Sequence, residues 1–406
     1  MNKKILIITD SYPPELRSAS ELMGDLANVL KERGCEVTVL TSYPQYNLAN
    51  TGEDLPLFPL DIVEEGVRVL RVKVLPHHKV HFIIRGISQL FLPYIFWSAL
   101  KKKTKEKFDV VIVHSPPLPL TITATKVKKF YGARLLLNVH DFFPQNAVDL
   151  GILTMRPMIK FFEKMEQRAY KKSDIIVVPS HEHKNFLKKN RGVSEEKVSV
   201  IPHWINIRPF REAKRTGKFR KKFGMENRFI FVFGGVLGPS QELDLILRVA
   251  AKLSEYPEIA FLFVGDGSEK ERLITMKKEM NLNNVVFGDW VSKKEYPNLL
   301  KDADVGFFSL TDKNTTPAVP AKLVGYLAAG LPVVALLHGE SEGHEIIKEA
   351  QCGYSALFGD EETARGLVLK IYKEKNDLKK YGENGFRYAE AHFTKEVCAT
   401  QWEALF

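Results

Sequence analysis

The sequence predicts two doubly wound α/β domains in tandem, and three observations carry that expectation. Short apolar, β-branched runs recur with helical patterns between them, as parallel strands buried on both faces and joined by crossover helices require. The pattern breaks at residues 202–228, where Pro202 and Pro209 precede the basic stretch FREAKRTGKFRKKFG, and then it restarts. A chain of 406 residues exceeds one ordinary core, and 45% hydrophobic with 27% charged residues suits a globular protein.

Taken in order, residues 5–9 form the first buried run, and a Pro-rich loop follows. Residues 20–33 have the spacing of an amphipathic helix closed by Gly34, and 36–41 make the next strand. Residues 67–72, 110–114, 135–139 and 175–178 continue the series. After the break, strands are expected at 229–233, 260–264, 285–287, 305–308 and 333–335, with a helix over 243–256 and a helical segment at 384–406. Ligands of open α/β sheets sit beyond the carboxyl ends of the strands, so a cleft between the two domains is the expected site.

Charge narrows the partners without choosing one. A net charge of +10 admits nucleic acid, an anionic membrane surface or a phosphorylated ligand. Nucleic acid is disfavoured, because no recognised binding module accompanies the charge. Cys35, Cys352 and Cys398 lie far apart and have no C-x-x-C spacing, which argues against a disulfide framework or structural zinc and fits a reducing, cytoplasmic compartment. The opening MNKKILIITD runs straight into a strand pattern without the apolar region of a signal peptide.

Two turns and one segment carry chemistry. In Phe233-Gly234-Gly235-Val236-Leu237-Gly238, glycines between strand and helix let backbone approach a phosphate, and a plain turn has the same signature. Val264-Gly265-Asp266-Gly267 repeats the arrangement, and there a turn is the simpler reading. The segment 317–335 is stronger. Two prolines end a loop, a short helix follows, Gly330 closes it, and Pro332 leads into a buried strand. Lys322 adds a full charge to the partial positive charge of that helix N-terminus, so an anion is the natural occupant.

The pattern P-x-K-x-x-(E)-Y-x-A-x-G-x-P-V-x-A at 320–335 resembles the nucleotide-binding segment of family 4 glycosyltransferases. The likeness spans nearly the whole chain: Asp10-Ser11-Tyr12-Pro13-Pro14 with the following 26–41 run, His114-Ser115-Pro116-Pro117, Asn138-Val139-His140-Asp141, Val264–Gly267 and Asn284–Gly288. Residues 235–244 are similar to a bacterial branch that builds lipid-linked polysaccharide precursors. The resemblance implies a GT-B fold of two Rossmann-like domains, at 1–205 and 206–385, with the C-terminal helix 386–406 crossing back to the first. It implies sugar transfer from a nucleotide sugar, UDP-linked for preference, to a hydroxyl with retention of configuration and without a metal or other cofactor. Lys322 would contact the donor diphosphate, with Gly235 and Gly238 in support. Trp290 and Val291 would flank the base, His140 would contact the sugar with Asp141 beside it, and Arg17 and Ser18 would lie near sugar or phosphates.

The chain departs from the family pattern at four places. Val236 and Gln241 stand where the family commonly has an Arg and a Lys, and the usual E-x7-E pair falls on Pro317 and Gly325. Glycine cannot bind the ribose hydroxyls, and loss of a charge-assisted hydrogen bond costs about 1.5–3 kcal/mol. Glu340 and Glu342 are nearby in sequence as replacements, with Gln241 left among the donor contacts. Two other readings therefore stay open: a nucleotide-sugar 2-epimerase of the same shape, and a non-catalytic donor-binding subunit of a membrane complex.

On the acceptor side, residues 77–107 bracket apolar and aromatic residues with cations. The stretch is too interrupted to span a bilayer and suits a helix lying on an anionic membrane surface, where a lipid-linked acceptor would be met; an ordinary core-packed helix with a solvated lysine run is the alternative.

Overall fold

The computed structural model describes residues 3–44, 57–76, 82–311, 316–317 and 319–406. The chain divides into two compact units, Met1–Trp204 with Lys395–Phe406, and Ile205–Thr394.

The first unit opens with β1 (Lys4–Ile8), α1 (Ser18–Glu32), β2 (Glu36–Ser42), β3 (Asp61–Glu64) and β4 (Val67–Val72). It continues through α2 (Phe82–Lys103), β5 (Val110–Ser115), α3 (Leu120–Tyr131), β6 (Arg134–Val139), α4 (Gln145–Asp149), α5 (Arg156–Lys172), β7 (Ile175–Val178), α6 (His181–Arg191) and β8 (Val198–Val200). The sheet order is β3-β4-β2-β1-β5-β6-β7-β8, parallel except for the β3–β4 pair. Alternation along β1 explains the two layers. Leu6 and Ile8 pack with α2, α3, α5 and α6 on one face, while Ile5 and Ile7 pack with α1 on the other. Residues 5–8 are fully buried, so every position of the run has to be apolar.

The second unit holds α7 (Arg208–Glu212), α8 (Lys218–Lys222), β9 (Phe229–Gly234), α9 (Asp244–Ala251), β10 (Ile259–Val264), α10 (Lys270–Glu279), β11 (Val285–Gly288), α11 (Tyr296–Asp302), β12 (Val305–Ser309), α12 (Ala321–Ala328), β13 (Val333–Leu337), α13 (Gly343–Ala350), β14 (Gly353–Leu357), α14 (Glu361–Lys373) and α15 (Leu378–His392). Its sheet is parallel in the order β11-β10-β9-β12-β13-β14, and one core runs through it. Both units are therefore Rossmann-like.

Three expectations need correction. The tail is two helices, not one: α15 packs on α12 inside the second unit, and a break at Phe393–Thr394 precedes α16 (Lys395–Glu403), which packs on α1. The segment that returns to the first unit is Lys395–Phe406, shorter than the 386–406 expected, with Cys398 and Trp402 buried against the β1 face. The helix expected over 243–256 ends at Ala251. The basic stretch, whose charges would suit a solvated surface over the interdomain linker, is partly built into the second unit. Phe219 is buried, and Arg220 reaches the Asp302 carbonyl at 2.6 Å, the Arg228 carbonyl at 2.8 Å and the Asp304 carboxylate at 2.5 Å.

Candidate donor and sugar sites

The candidate donor half is built where β9, β10 and β12 end. The β9 loop and the β10 loop are laced together: Gly235 N–H donates to the Val264 carbonyl, Leu237 N–H to Asp266 and Glu269 N–H back to Leu237. Gly265, at φ +156°, makes this approach possible, because a Cβ there would fall 1.8 Å from the Gly235 carbonyl oxygen. The turn reading of 264–267 is thus compatible with a supporting role, since it holds the Gly235 loop in place. Gly265→Ala is expected to destabilise the protein by about 2–3 kcal/mol, through backbone strain and displacement of that loop. Denaturant melts of the two proteins measure it.

Lys322, in the first turn of α12, lies along this loop. A Cβ at Gly235 would come 3.1 Å from Lys322 Cε. The ammonium donates to Gln241 Oε1 at 3.0 Å and stands 4.6 Å from the centre of the Phe233 ring. Burial pushes its pKa from the ordinary 10.5 down to about 8, so the charge is held with little solvent around it. Pro320, at the N-cap, offers no side-chain hydrogen bond to the helix. Gln241 is itself fixed, since Ser309 Oγ donates to its carbonyl at 2.5 Å and Thr311 N–H donates to the Ser240 carbonyl at 3.1 Å. The structure thus brings Gly235, Gln241 and Lys322 together, with Gly238 opening the turn that carries Gln241.

Gly325 is one turn along α12 from Lys322, and a Cβ there would meet only the Tyr296 ring edge and hydroxyl, each at 3.8 Å. Tyr296 Oη approaches the Gly234 carbonyl at 3.5 Å. Sequence reasoning passed over Tyr296, which lies 29 residues before Gly325 and enters from another helix. Glu342 stands at the N-cap of α13, whose first residue Gly343 is beside Pro320, and Glu340 is exposed. Trp290 is 61% exposed after β11, while Val291 packs on the core.

The second constellation belongs to the first unit. His140 follows β6, and its ring stacks on His203 at 4.2 Å with 16° between planes. His114 on β5 lies 5.6 Å away, with Asn138 Nδ2 at 3.2 Å from its Nδ1. His183, in the first turn of α6, holds its Nδ1 2.7 Å from Ser180 Oγ. All four rings have their pKa lowered by burial, His114 and His183 to about 3, so this is a set of neutral imidazoles. Among the described residues His140 Nδ1 has no hydrogen-bond partner. Asp141 is exposed. Arg17 forms an ion pair with buried Asp10 at 3.1 Å, and Ser18 begins α1. The sequence marks His140 as a sugar contact and His114 only as part of a family-like motif, without joining the two. The companions of His140 sit at or just after the ends of β5, β7 and β8, a signal that depended on recognising the three-residue β8.

Residues 19–208 match the family model Glycosyltransferase Family 4, and residues 215–388 match Glycosyl transferases group 1. The chain belongs to the family 4 glycosyltransferases. It is 25% identical over 98% of each chain to WcaI of Escherichia coli (strain K12), a glycosyl transferase named for colanic acid biosynthesis. It is 28% identical, over 78% of this chain and 77% of the other, to an Escherichia coli UDP-Gal:alpha-D-GlcNAc-diphosphoundecaprenol alpha-1,3-galactosyltransferase. A sucrose-phosphate synthase from Thermosynechococcus elongatus superposes with a TM-score of 0.76, covering 100% of this chain and 98% of that one at 16% identity, a likeness of GT-B fold. This transferase is accordingly an enzyme of glycan biosynthesis.

Proposed function

We propose that this transferase moves a sugar from a UDP-sugar to a hydroxyl of a lipid-linked saccharide, with retention, in surface polysaccharide assembly. The observation that carries the reading is the half-buried Lys322 ammonium beside the Gly235 loop and the uncapped start of α12, a place suited to a diphosphate. As the bond from the anomeric carbon to the diphosphate oxygen breaks, its electron pair leaves with the diphosphate. Lys322 meets that growing charge without solvent reorganisation, which lowers the barrier as well as the dissociation constant. The acceptor oxygen bonds to the anomeric carbon, and the departing diphosphate takes its proton. His140 and Asp141 contact the sugar, Trp290 and Val291 flank the base, and Arg17 and Ser18 border the sugar and phosphates. No metal or other cofactor takes part.

For the lipid-linked acceptor, the support is the diphosphoundecaprenol-linked substrate for which the galactosyltransferase relative is named, and the outer face of α2. That helix buries Leu92, Phe96 and Leu100 inward and exposes Ile87, Phe91 and Tyr94 outward, ending in Lys101, Lys102 and Lys103. Residues 77–81 of the stretch read as a membrane contact lie outside the described residues. Among the described residues no helix is long and apolar enough to cross a membrane. We read α2 as lying on an anionic bilayer surface at the cytoplasmic face.

Radiolabelled UDP-sugars and a polyprenyl-diphosphate-linked saccharide test the whole reading. Label should enter the lipid fraction with the anomeric configuration of the donor. A UDP-sugar that changes stereochemistry at C2 without acceptor would refute it in favour of epimerisation. In the same assay Gly325→Glu, whose Cβ has room beside Tyr296, is expected to tighten UDP binding roughly tenfold through a ribose contact, read by calorimetry.

A further inference from the structure

In the first unit, the chain between α4 and the first turns of α5 exposes large apolar side chains in close succession. Leu150 is 61% exposed, Ile152 58%, Met155 60%, Met158 40% and Phe161 49%. Single exposed apolar residues need no explanation, but five within twelve positions are a local concentration that does. The inner side of the same helix is ordinary: Phe162, Ala169 and Tyr170 are buried, and Glu166 is sealed in by Tyr170 and Arg191. The fold therefore spends none of these five residues on its own core.

The surroundings are cationic. Arg156, Lys160 and Lys164 are exposed among the apolar residues, and Glu163 is the exposed acid beside them. A protein partner's surface ordinarily mixes both signs, whereas apolar side chains interleaved with cations match the acyl–headgroup boundary of an anionic bilayer. Position points the same way. In a parallel sheet each crossover helix starts at the carboxyl edge of the preceding strand. The segment leaves β6 through His140 and Asp141, so the apolar surface stands at the edge of the sheet that carries the sugar-contacting histidine.

We propose that the segment 150–161 is a membrane-docking element, which seats Leu150, Ile152, Met155, Met158 and Phe161 in the interface of an anionic bilayer. It is separate in sequence from the outer face of α2, and it rests on the proposed acceptor only in explaining why the His140 edge should approach a membrane. Docking there brings a lipid-linked saccharide to that edge without requiring the acceptor to leave the bilayer.

The test is sedimentation of the full-length chain with vesicles of phosphatidylcholine alone and of phosphatidylcholine with phosphatidylglycerol, no substrate present. The chain should bind the anionic vesicles and release with salt. The triple variant Ile152→Ser, Met155→Ser, Phe161→Ser should lose at least about tenfold in partitioning, because exposed apolar area is what it removes. Arg156→Gln, Lys160→Gln, Lys164→Gln should lose about fivefold per charge on anionic vesicles only. Equal melting temperatures exclude misfolding, since all six positions are exposed. Transfer to acceptor in vesicles should fall in the apolar variant, and transfer to a short-chain, water-soluble acceptor analogue should not. The proposal is overturned if the apolar variant binds vesicles as the parent does, or if the parent dimerises through this surface and ignores vesicles. Loss of binding only in Phe91→Ser, Tyr94→Ser would also overturn it while leaving the membrane-linked function intact.

Discussion

Lys322→Ala should lower kcat/KM for the nucleotide sugar by about a thousandfold, with little loss of thermal stability. Fixed donors facing charge that develops on a leaving group contribute roughly 10²–10³ each, and this cation stands in a site from which most solvent is excluded. Stability should survive, because the ammonium sits in the structure at the cost of desolvation, offset only by Gln241 and the Phe233 face. Lys322→Met separates the two effects by keeping the apolar stem, and it should be as inactive as the alanine variant. The pH dependence follows from the same burial. With a pKa of about 8 in the free protein, Lys322 is charged below pH 8 and binds diphosphate without taking up a proton. The bound diphosphate raises that pKa, so donor affinity should weaken by up to tenfold per pH unit as pH rises above 8. Calorimetric titration with UDP from pH 7 to 9.5 reads this, and the slope should vanish in Lys322→Met. A parent protein with flat UDP affinity across that range would remove Lys322 from the diphosphate contact.

The legible parts of the molecule were those that local sequence is forced to declare. Strands such as 5–8 and 259–264 are buried along their whole length, so they are written as unbroken apolar runs. The pairing of Lys322 with Gly235 was legible because small residues and a charge at a strand–helix junction stand out locally, and the structure does bring the two together. Other elements were not. The three-residue β8 and the polar β14, with sequence GYSAL, pair at sheet edges where burial is partial, and partial burial leaves a weak pattern. Nothing in its own segment distinguishes Arg220 from the cations around it, because its partners Asp302 and Asp304 arrive from more than eighty residues away. The histidine cluster was invisible for the same reason. Each ring is unremarkable in its own segment, and only the order β5-β6-β7-β8 brings the four strand ends together.

That cluster sets the second large effect. His140→Ala is expected to reduce kcat roughly a hundredfold while leaving UDP affinity within about twofold, since positioned imidazoles contribute 10²–10⁴ to a chemical step. Burial holds the His140 pKa below the ordinary 6.5, so the ring works neutral, offering one nitrogen as donor and the other as acceptor. Its activity should therefore stay level as pH falls from 8 to about 6.5 and decline only below that, when the ring is forced to charge. The stacked His203 and the neighbouring His114 oppose that charge by keeping water out, while the Asp141 carboxylate favours it by a smaller amount. His203→Ala opens one face of the His140 ring to solvent. It should move the acid limb of the profile upward, toward 6.5, with kcat at pH 7.5 falling about tenfold through looser positioning. His203→Phe keeps an aromatic face over His140 and should restore most of that loss. An acid limb that stays put in both His203 variants would mean that the stack packs the core and has no part in setting the state of His140.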